Sequence, residues 1–304
     1  MTSNETTMST KRTTKATKPC LYSRGLGFVF FVMIFVIFVV SFQAQRPQRI
    51  ISLVPALTEM LFAIGAGPQV VAVSSFDEYP PEATKLPRVG ALLDPDTERI
   101  ISLTPDLVVT YGSQVDLQAQ MKRAAITTFD YRHGGLAHIM TTMRELGART
   151  GHVAEAETAA TGIEVRIAAV RARVAGKPRP RVLLVFGREP RSLRNIYVSA
   201  GRGFLHDMLE AAGGQDVFAD ADRESIQATT EHILARAPDV ILELRSENIP
   251  DESALREELG PWGRLASVPA VRNKRVILLT GQAVTVPGPR VADGIERMAK
   301  ALHP

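Results

Sequence analysis

Residues 97 to 110, TERIISLTPDLVVT, return in the same pattern at residues 230 to 243, TEHILARAPDVILE. Each copy opens on Thr-Glu, passes through an apolar turn or two, reaches Pro-Asp seven residues after the Glu, and ends in a short β-branched run. Glu98, Pro105 and Asp106 therefore correspond to Glu231, Pro238 and Asp239. A Thr-Glu opening suits a helix start, where the Thr97 or Thr230 hydroxyl caps free N–H groups and the carboxylate meets the positive end of the helix dipole. The proline stops the helix, and the apolar run after it has the length of a buried parallel strand. A second echo runs in the same order: Glu59-Met60-Leu61 precedes Gly65 as Asp207-Met208-Leu209 precedes Gly213. Two echoes in one order predict two similar α/β lobes, and ligand sites of such proteins lie at strand carboxyl ends and between units.

The elements between the echoes agree. Strands are predicted at Arg49 to Leu53, Gln69 to Val73, Leu107 to Thr110 and Thr127 to Phe129, alternating with helices, and again at Arg181 to Phe186, Val240 to Leu244 and Arg275 to Leu279. Such alternation predicts mainly parallel sheets with right-handed crossovers. Between the two sets, Val153, Ala156, Ala160, Ile163, Ile167, Val170 and Val174 recur at spacings of three and four, an apolar stripe along one helix closed by Pro178. This predicts a stiff helix lying against both lobes. The expected division is residues 1–48 as a basic leader with a signal peptide or anchor, 49–152 as the first lobe, 153–177 as the connecting helix and 178–304 as the second lobe.

Charge narrows the function. The formal charge of +4 belongs to residues 1 to 24, where five basic residues face Glu5 alone; the rest of the chain is neutral. A nucleic-acid binder needs a surplus of cations to displace counterions, so that class is excluded. After the basic tail, residues 26–42 are free of charge and rich in Phe, Val and Ile, a length between a signal-peptide core and a full membrane span. The segment is expected to enter a membrane, with the positive tail in the cytoplasm and everything after Arg46 outside, whether or not cleavage follows Ser41. The single cysteine, Cys20, precedes this run, leaving the exported part without a thiol. No nucleophile elbow, H-E-x-x-H, Walker loop or C-x-x-C occurs there, so a non-enzymatic protein without a cofactor is expected. The six histidines fall singly, which argues against a bare-metal site; His133 beside Arg132 reads as a surface histidine. Arg188, Arg191, Arg194 and Arg245 cluster at strand exits and imply a ligand with carboxylate or phosphate groups.

Together these residues resemble the helical-backbone substrate-binding proteins of ABC importers for cobalamin, haem and iron–siderophore. The stretch Arg49-Ile50-Ile51-Ser52-Leu53-Val54-Pro55-Ala56-Leu57-Thr58-Glu59, the loop Ser74 to Pro81, the block Glu98 to Val109 and the block Glu231 to Ile241 look especially like the cobalamin-binding members. The resemblance implies that Glu98 and Glu231 dock on an ABC permease, which works with its ATPase. It also implies a cleft lined by aromatics at Phe76, Tyr79 and Tyr111, with Phe186, Arg188 and Arg245 opposite. Leu92 and Ser225 stand where tryptophans would be expected, and no tyrosine follows Val89 as in some haem receptors, so a corrinoid or a ferric siderophore is the expected ligand. A membrane-anchored sensor or scaffold with the same fold, or a chelatase-like enzyme, are the other readings.

Overall fold

The computed structural model describes residues 46–304. The apolar segment 26–42 and the leader before it lie outside the described residues. Among the described residues, no helix is long and apolar enough to cross a membrane.

The first half alternates β1 (Ile50–Ser52), α1 (Pro55–Ala63), β2 (Val70–Val73), α2 (Thr97–Ser102), β3 (Leu107–Tyr111), α3 (Val115–Arg123), β4 (Thr127–Tyr131) and α4 (Leu136–Thr150). Its sheet runs β2-β1-β3-β4 and is parallel throughout, with Ile51 opposite Ala72 on one side and Val108 on the other. Then comes α5 (Val153–Val174), followed by β5 (Arg181–Gly187), β6 (Ile196–Ser199), α6 (Phe204–Ala211), β7 (Gln215–Asp216), β8 (Ser225–Ala228), α7 (Thr230–Arg236), β9 (Val240–Arg245), α8 (Glu252–Leu259), α9 (Pro269–Arg272), β10 (Val276–Thr280) and α10 (Val291–Leu302). The second sheet runs β10-β9-β5-β6-β8, and β7 also pairs with β5. Its β10-β9-β5 part is parallel as expected, but β6 and β8 add antiparallel pairs beyond the strands predicted from sequence. Ile196-Tyr197-Val198-Ser199 is too short for its period to separate it from a turn.

The central parallel strands β1, β3, β5 and β9 are buried on both faces, as parallel strands require, while β4 and β8 carry exposed residues. Ile50 and Val109 point into one apolar cluster and Ile51 and Val108 into another; Val182 and Leu184 join the first, while Leu183 and Val185 form a third. The inner faces share a single core because α5 supplies Ala156, Ala160, Ile163, Ile167, Val170 and Val174 to it. At 1.5 Å per residue its 22 residues span about 33 Å. It packs on α4 of the first half and α10 of the second. Val153, the first residue of the stripe, is exposed instead, because the helix begins there and the core starts one turn later.

The repeats correspond in three places. Asp106 accepts N–H bonds from Gln48 at 2.7 Å and Arg49 at 3.0 Å, and Asp239 accepts one from Arg181 at 3.0 Å, so Asp106 ties β1 to β3 and Asp239 ties β5 to β9, the neighbouring parallel strand in each sheet. Thr104 and Ala237, each the residue before the proline, have φ of +46° and +44°, which carries the chain out of the helix. Gly65 and Gly213 hold φ of +85° and +83°, each beside the histidine that follows the last helix of its half, His152 and His303. The helix caps differ from expectation. Asp96 and Thr229, one residue before the threonines of each motif, accept the N–H groups of Arg99 and His232. The threonines at 97 and 230 are already helical, and a capping residue must keep extended backbone to turn its oxygen onto those N–H groups.

Candidate functional site

A cavity of about 510 Å³ opens at the carboxyl ends of β5 and β9. Its size is that of a small-molecule site. His133 and Gly134, in the loop after β4, form the wall from the first half; Phe186, Phe204, Leu244 and Thr285 supply apolar surface from the second. The loop after β4 is held to the second half by the backbone N–H of Leu136, which donates to Asp207 Oδ2 at 2.7 Å.

The seam is fastened at a second point. Glu59, buried on α1, receives Arg290 at the start of α10, with Nε to Oε2 at 2.9 Å and Nη2 to Oε1 at 2.5 Å. The Arg290 guanidinium also lies over the Tyr79 ring, 3.9 Å from its centre. Burial raises the Glu59 carboxyl above its usual range even though Arg290 pulls it down. Glu59 and Asp207 are the acids of the second sequence echo, so the equivalent acid of each half reaches into the other.

The arginines of the expected cluster are not free. The Arg188 side chain is 0% exposed. Its Nε donates to Glu243 at 3.0 Å, its Nη1 to the carbonyls of Ser192 at 2.9 Å and Glu189 at 3.2 Å, and its Nη2 to the carbonyl of Glu258 at 2.6 Å, while Nη2 also lies 2.9 Å from the Glu258 carboxylate as an ion pair. All three nitrogens of the guanidinium are thus engaged by the protein. Arg188 thus reaches the cavity through its backbone alone, and the expectation that its charge meets the ligand is corrected. Arg245 donates Nε and Nη2 to Glu243 at 3.0 and 2.8 Å and pairs with Glu258, while Trp262 Nε1 donates to Glu243 at 3.1 Å. Two arginines and two glutamates form a neutral, buried platform below the cavity, from which Arg245 alone retains a partly exposed edge. Arg191 and Arg194 pair with Glu257 and Glu189 away from the cavity.

The charges that do face the cavity lean the other way. Glu224 and Glu247 line it and form no ion pair among the described residues, while Arg202 lies 3.7 Å from Asp222. His133 stacks obliquely on Tyr111, ring centres 5.0 Å apart, and edge-on against Tyr131 at 5.4 Å. Desolvation in this concave wall lowers its pKa, opposed by Glu224 across the cavity. The ring is therefore neutral at pH 7.

Of the residues expected in the cleft, Phe186, Arg188 and Arg245 line the cavity, and Tyr111 backs it through His133. Phe76, 66% exposed, and Tyr79, 41% exposed, stand outside it in the loop after β2. Glu98 and Glu231 are both exposed in the first turn of α2 and α7. The Thr229 hydroxyl holds the Glu231 carboxyl below its ordinary range. Sequence reasoning missed His133 as a wall of the site and missed Glu224 and Glu247 altogether. The only signal for them was their place in loops that follow or precede strands. Among the described residues, no three His, Cys, Asp or Glu side chains converge to hold a metal ion.

The family described as periplasmic binding protein matches residues 50–283. The vitamin B12-binding protein of Salmonella typhimurium is 34% identical over 225 residues, 73% of this chain and 80% of that protein. The crystal structure of the periplasmic vitamin B12 binding protein of Vibrio cholerae superposes with a TM-score of 0.71 at 26% identity, covering 84% of this chain and 96% of that one. The periplasmic heme-binding protein of Roseiflexus sp. RS-1, in apo form, gives a TM-score of 0.69 at 28% identity over 84% of this chain and 98% of its own. With two α/β halves joined by one long helix, a cleft at their strand ends and a family match across most of the described residues, the chain belongs to the periplasmic binding protein family.

Proposed function

We propose that this chain is an extracytoplasmic substrate-binding protein of an ABC importer that captures a corrinoid in the interlobe cleft and hands it to the permease. The observation that carries the ligand choice is the charge of the cleft. Arg188 and Arg245 are neutralised within the platform by Glu243 and Glu258 and Arg202 lies 3.7 Å from Asp222, whereas Glu224 and Glu247 line the cavity without ion-pair partners among the described residues. Such a wall offers acceptors to a ligand edged with amides, as a corrinoid is, and repels the carboxylates of many ferric siderophores. The aromatic surfaces of Phe186 and Phe204 supply the apolar contact a large macrocycle needs. The 34% identity to a vitamin B12-binding protein supports the same reading.

The protein acts by binding and release, without chemistry on its ligand. The core shared through α5 and the two seam contacts make a largely preformed cleft, which limits what must be ordered on binding. Delivery rests on Glu98 and Glu231, exposed at equivalent places and available to cations on two permease subunits. Isothermal calorimetry against cyanocobalamin, cobinamide, haemin and ferric citrate tests the ligand. Binding of a corrinoid with no response to ferric citrate is expected, and the reverse order sinks the assignment. The Glu98→Ala/Glu231→Ala variant should bind ligand normally yet lose uptake; unchanged uptake removes the docking role.

Haem is the second reading, favoured by one feature. His133 presents a neutral imidazole to the cavity, a group able to coordinate the iron at the centre of such a macrocycle. A Soret shift on adding haemin that disappears in His133→Ala would select haem over a corrinoid.

A further inference from the structure

The first sequence echo carries more than an acid. Aligned from Thr97 and Thr230, the third residue after each glutamate is a large aliphatic, Ile101 in α2 and Leu234 in α7. These side chains are 40% and 43% exposed, while the residues just before them, Ile100 and Ile233, are wholly buried. Burial thus falls on the same position of each repeat, and exposure on the next. Residues three apart on a helix are neighbours on its surface, so each half presents a carboxylate and an aliphatic group side by side. Ile101 and Leu234 belong to none of the three apolar clusters, and a single exposed aliphatic would mean little, but two at equivalent positions beside equivalent acids do. In the second half, Leu234 also walls an open groove together with Leu193, Thr230 and Arg264.

We infer that Glu98 with Ile101 and Glu231 with Leu234 form two matched docking patches, and that their partner presents the same surface twice: a cationic side chain next to an apolar depression, repeated about a two-fold or pseudo-two-fold axis. A carboxylate paired with a cation gives orientation and salt-sensitive encounter, while an aliphatic seated in a depression supplies affinity that salt does not screen. The occupant consistent with both is a pair of equivalent permease subunits, so the inference rests on the importer reading above. It differs in assigning the salt-insensitive share of the affinity to Ile101 and Leu234.

The test uses the full chain against its permease–ATPase complex in lipid nanodiscs, measuring affinity at low and high ionic strength. Ile101→Ser/Leu234→Ser is expected to weaken the complex about tenfold or more, equally at both salt concentrations, with ligand affinity and thermal midpoint unchanged. Glu98→Gln/Glu231→Gln is expected to weaken it mainly at low salt. If the serine variant binds like the parent while the glutamine variant is impaired, this inference falls and acid-mediated docking survives. If neither variant matters, docking through these helices falls with it. Single variants at residues 101 and 234 should each lose a similar factor; a loss confined to one half overturns the two-fold partner. Dimerisation of the parent chain that the serine variant abolishes would overturn it too, assigning the patches to a second copy.

Discussion

Removing Arg290 tests how the two halves are held together. The Arg290→Ala variant leaves Glu59, only 3% exposed, facing the position of the lost guanidinium. Breaking a fully buried pair from one side costs about 3–5 kcal/mol, whereas an exposed pair contributes about 0–1 kcal/mol. Arg290 keeps 22% of its side-chain surface in solvent, so the expected loss lies between those limits, about 2–3 kcal/mol, including about 0.5–1 kcal/mol for the contact with Tyr79. The carboxyl has an escape that gives the loss a pH signature. Burial and the nearby Asp77 already push its pKa up, and without Arg290 nothing of similar strength opposes them. A carboxyl whose pKa is higher folded than unfolded binds more protons in the folded state. Its stability contribution is therefore present below the unfolded value near 4.5 and is lost as pH rises through the folded value. The deficit of Arg290→Ala should be small near pH 4.5 and largest above pH 7. Urea unfolding followed by circular dichroism at several pH values measures it through the midpoint at constant slope. Glu59→Leu/Arg290→Met, which removes both charges, should recover most of the loss. A deficit below about 0.5 kcal/mol, or one that does not change between pH 4.5 and 8, would refute the account of Glu59 as a buried acid kept charged by its partner.

Three further outcomes follow from the described contacts. Arg188→Ala should destabilise by about 3–5 kcal/mol because it leaves Arg245 alone to balance the two buried carboxylates of Glu243 and Glu258, and ligand affinity measured on the folded fraction should change little; a selective loss of affinity would restore Arg188 as a ligand contact. Gly213→Ala should cost more than Gly65→Ala although their φ angles match, since a new Cβ meets His303 Nε2 at 2.7 Å in one place and His152 Nδ1 at 3.5 Å in the other; equal thermal shifts would contradict the packing. The depressed pKa of His133 means the folded state binds fewer protons than the unfolded one below pH 6.5. Stability is then full above 6.5 and falls as pH drops through the lower folded value, and His133→Asn should flatten that part of the titration; an unchanged profile excludes His133 as its source.

The echoes, the alternation of strands and helices and the stripe along α5 were legible because each depends on neighbours within a turn or two. Asp106 and Asp239 sit at matching places in the chain and bind matching strands, so a repeat in sequence became a repeat in structure. The antiparallel strands β6 and β8 were not legible, since four-residue strands carry too little period to declare themselves. The charge of the cleft was read with the wrong sign for a related reason. Counting arginines at strand exits said nothing of Glu243 and Glu258, which come from 55 and 70 residues away to absorb Arg188. Two runs of alternating strands and helices, with a long helix between them in the chain, are readable from local patterns, because such patterns choose elements and their order. Tertiary structure alone decided which acids cross the seam, which arginines are spent inside the protein and which carboxylates face the cavity, because the pairing of charges depends on distances that only the packed chain sets.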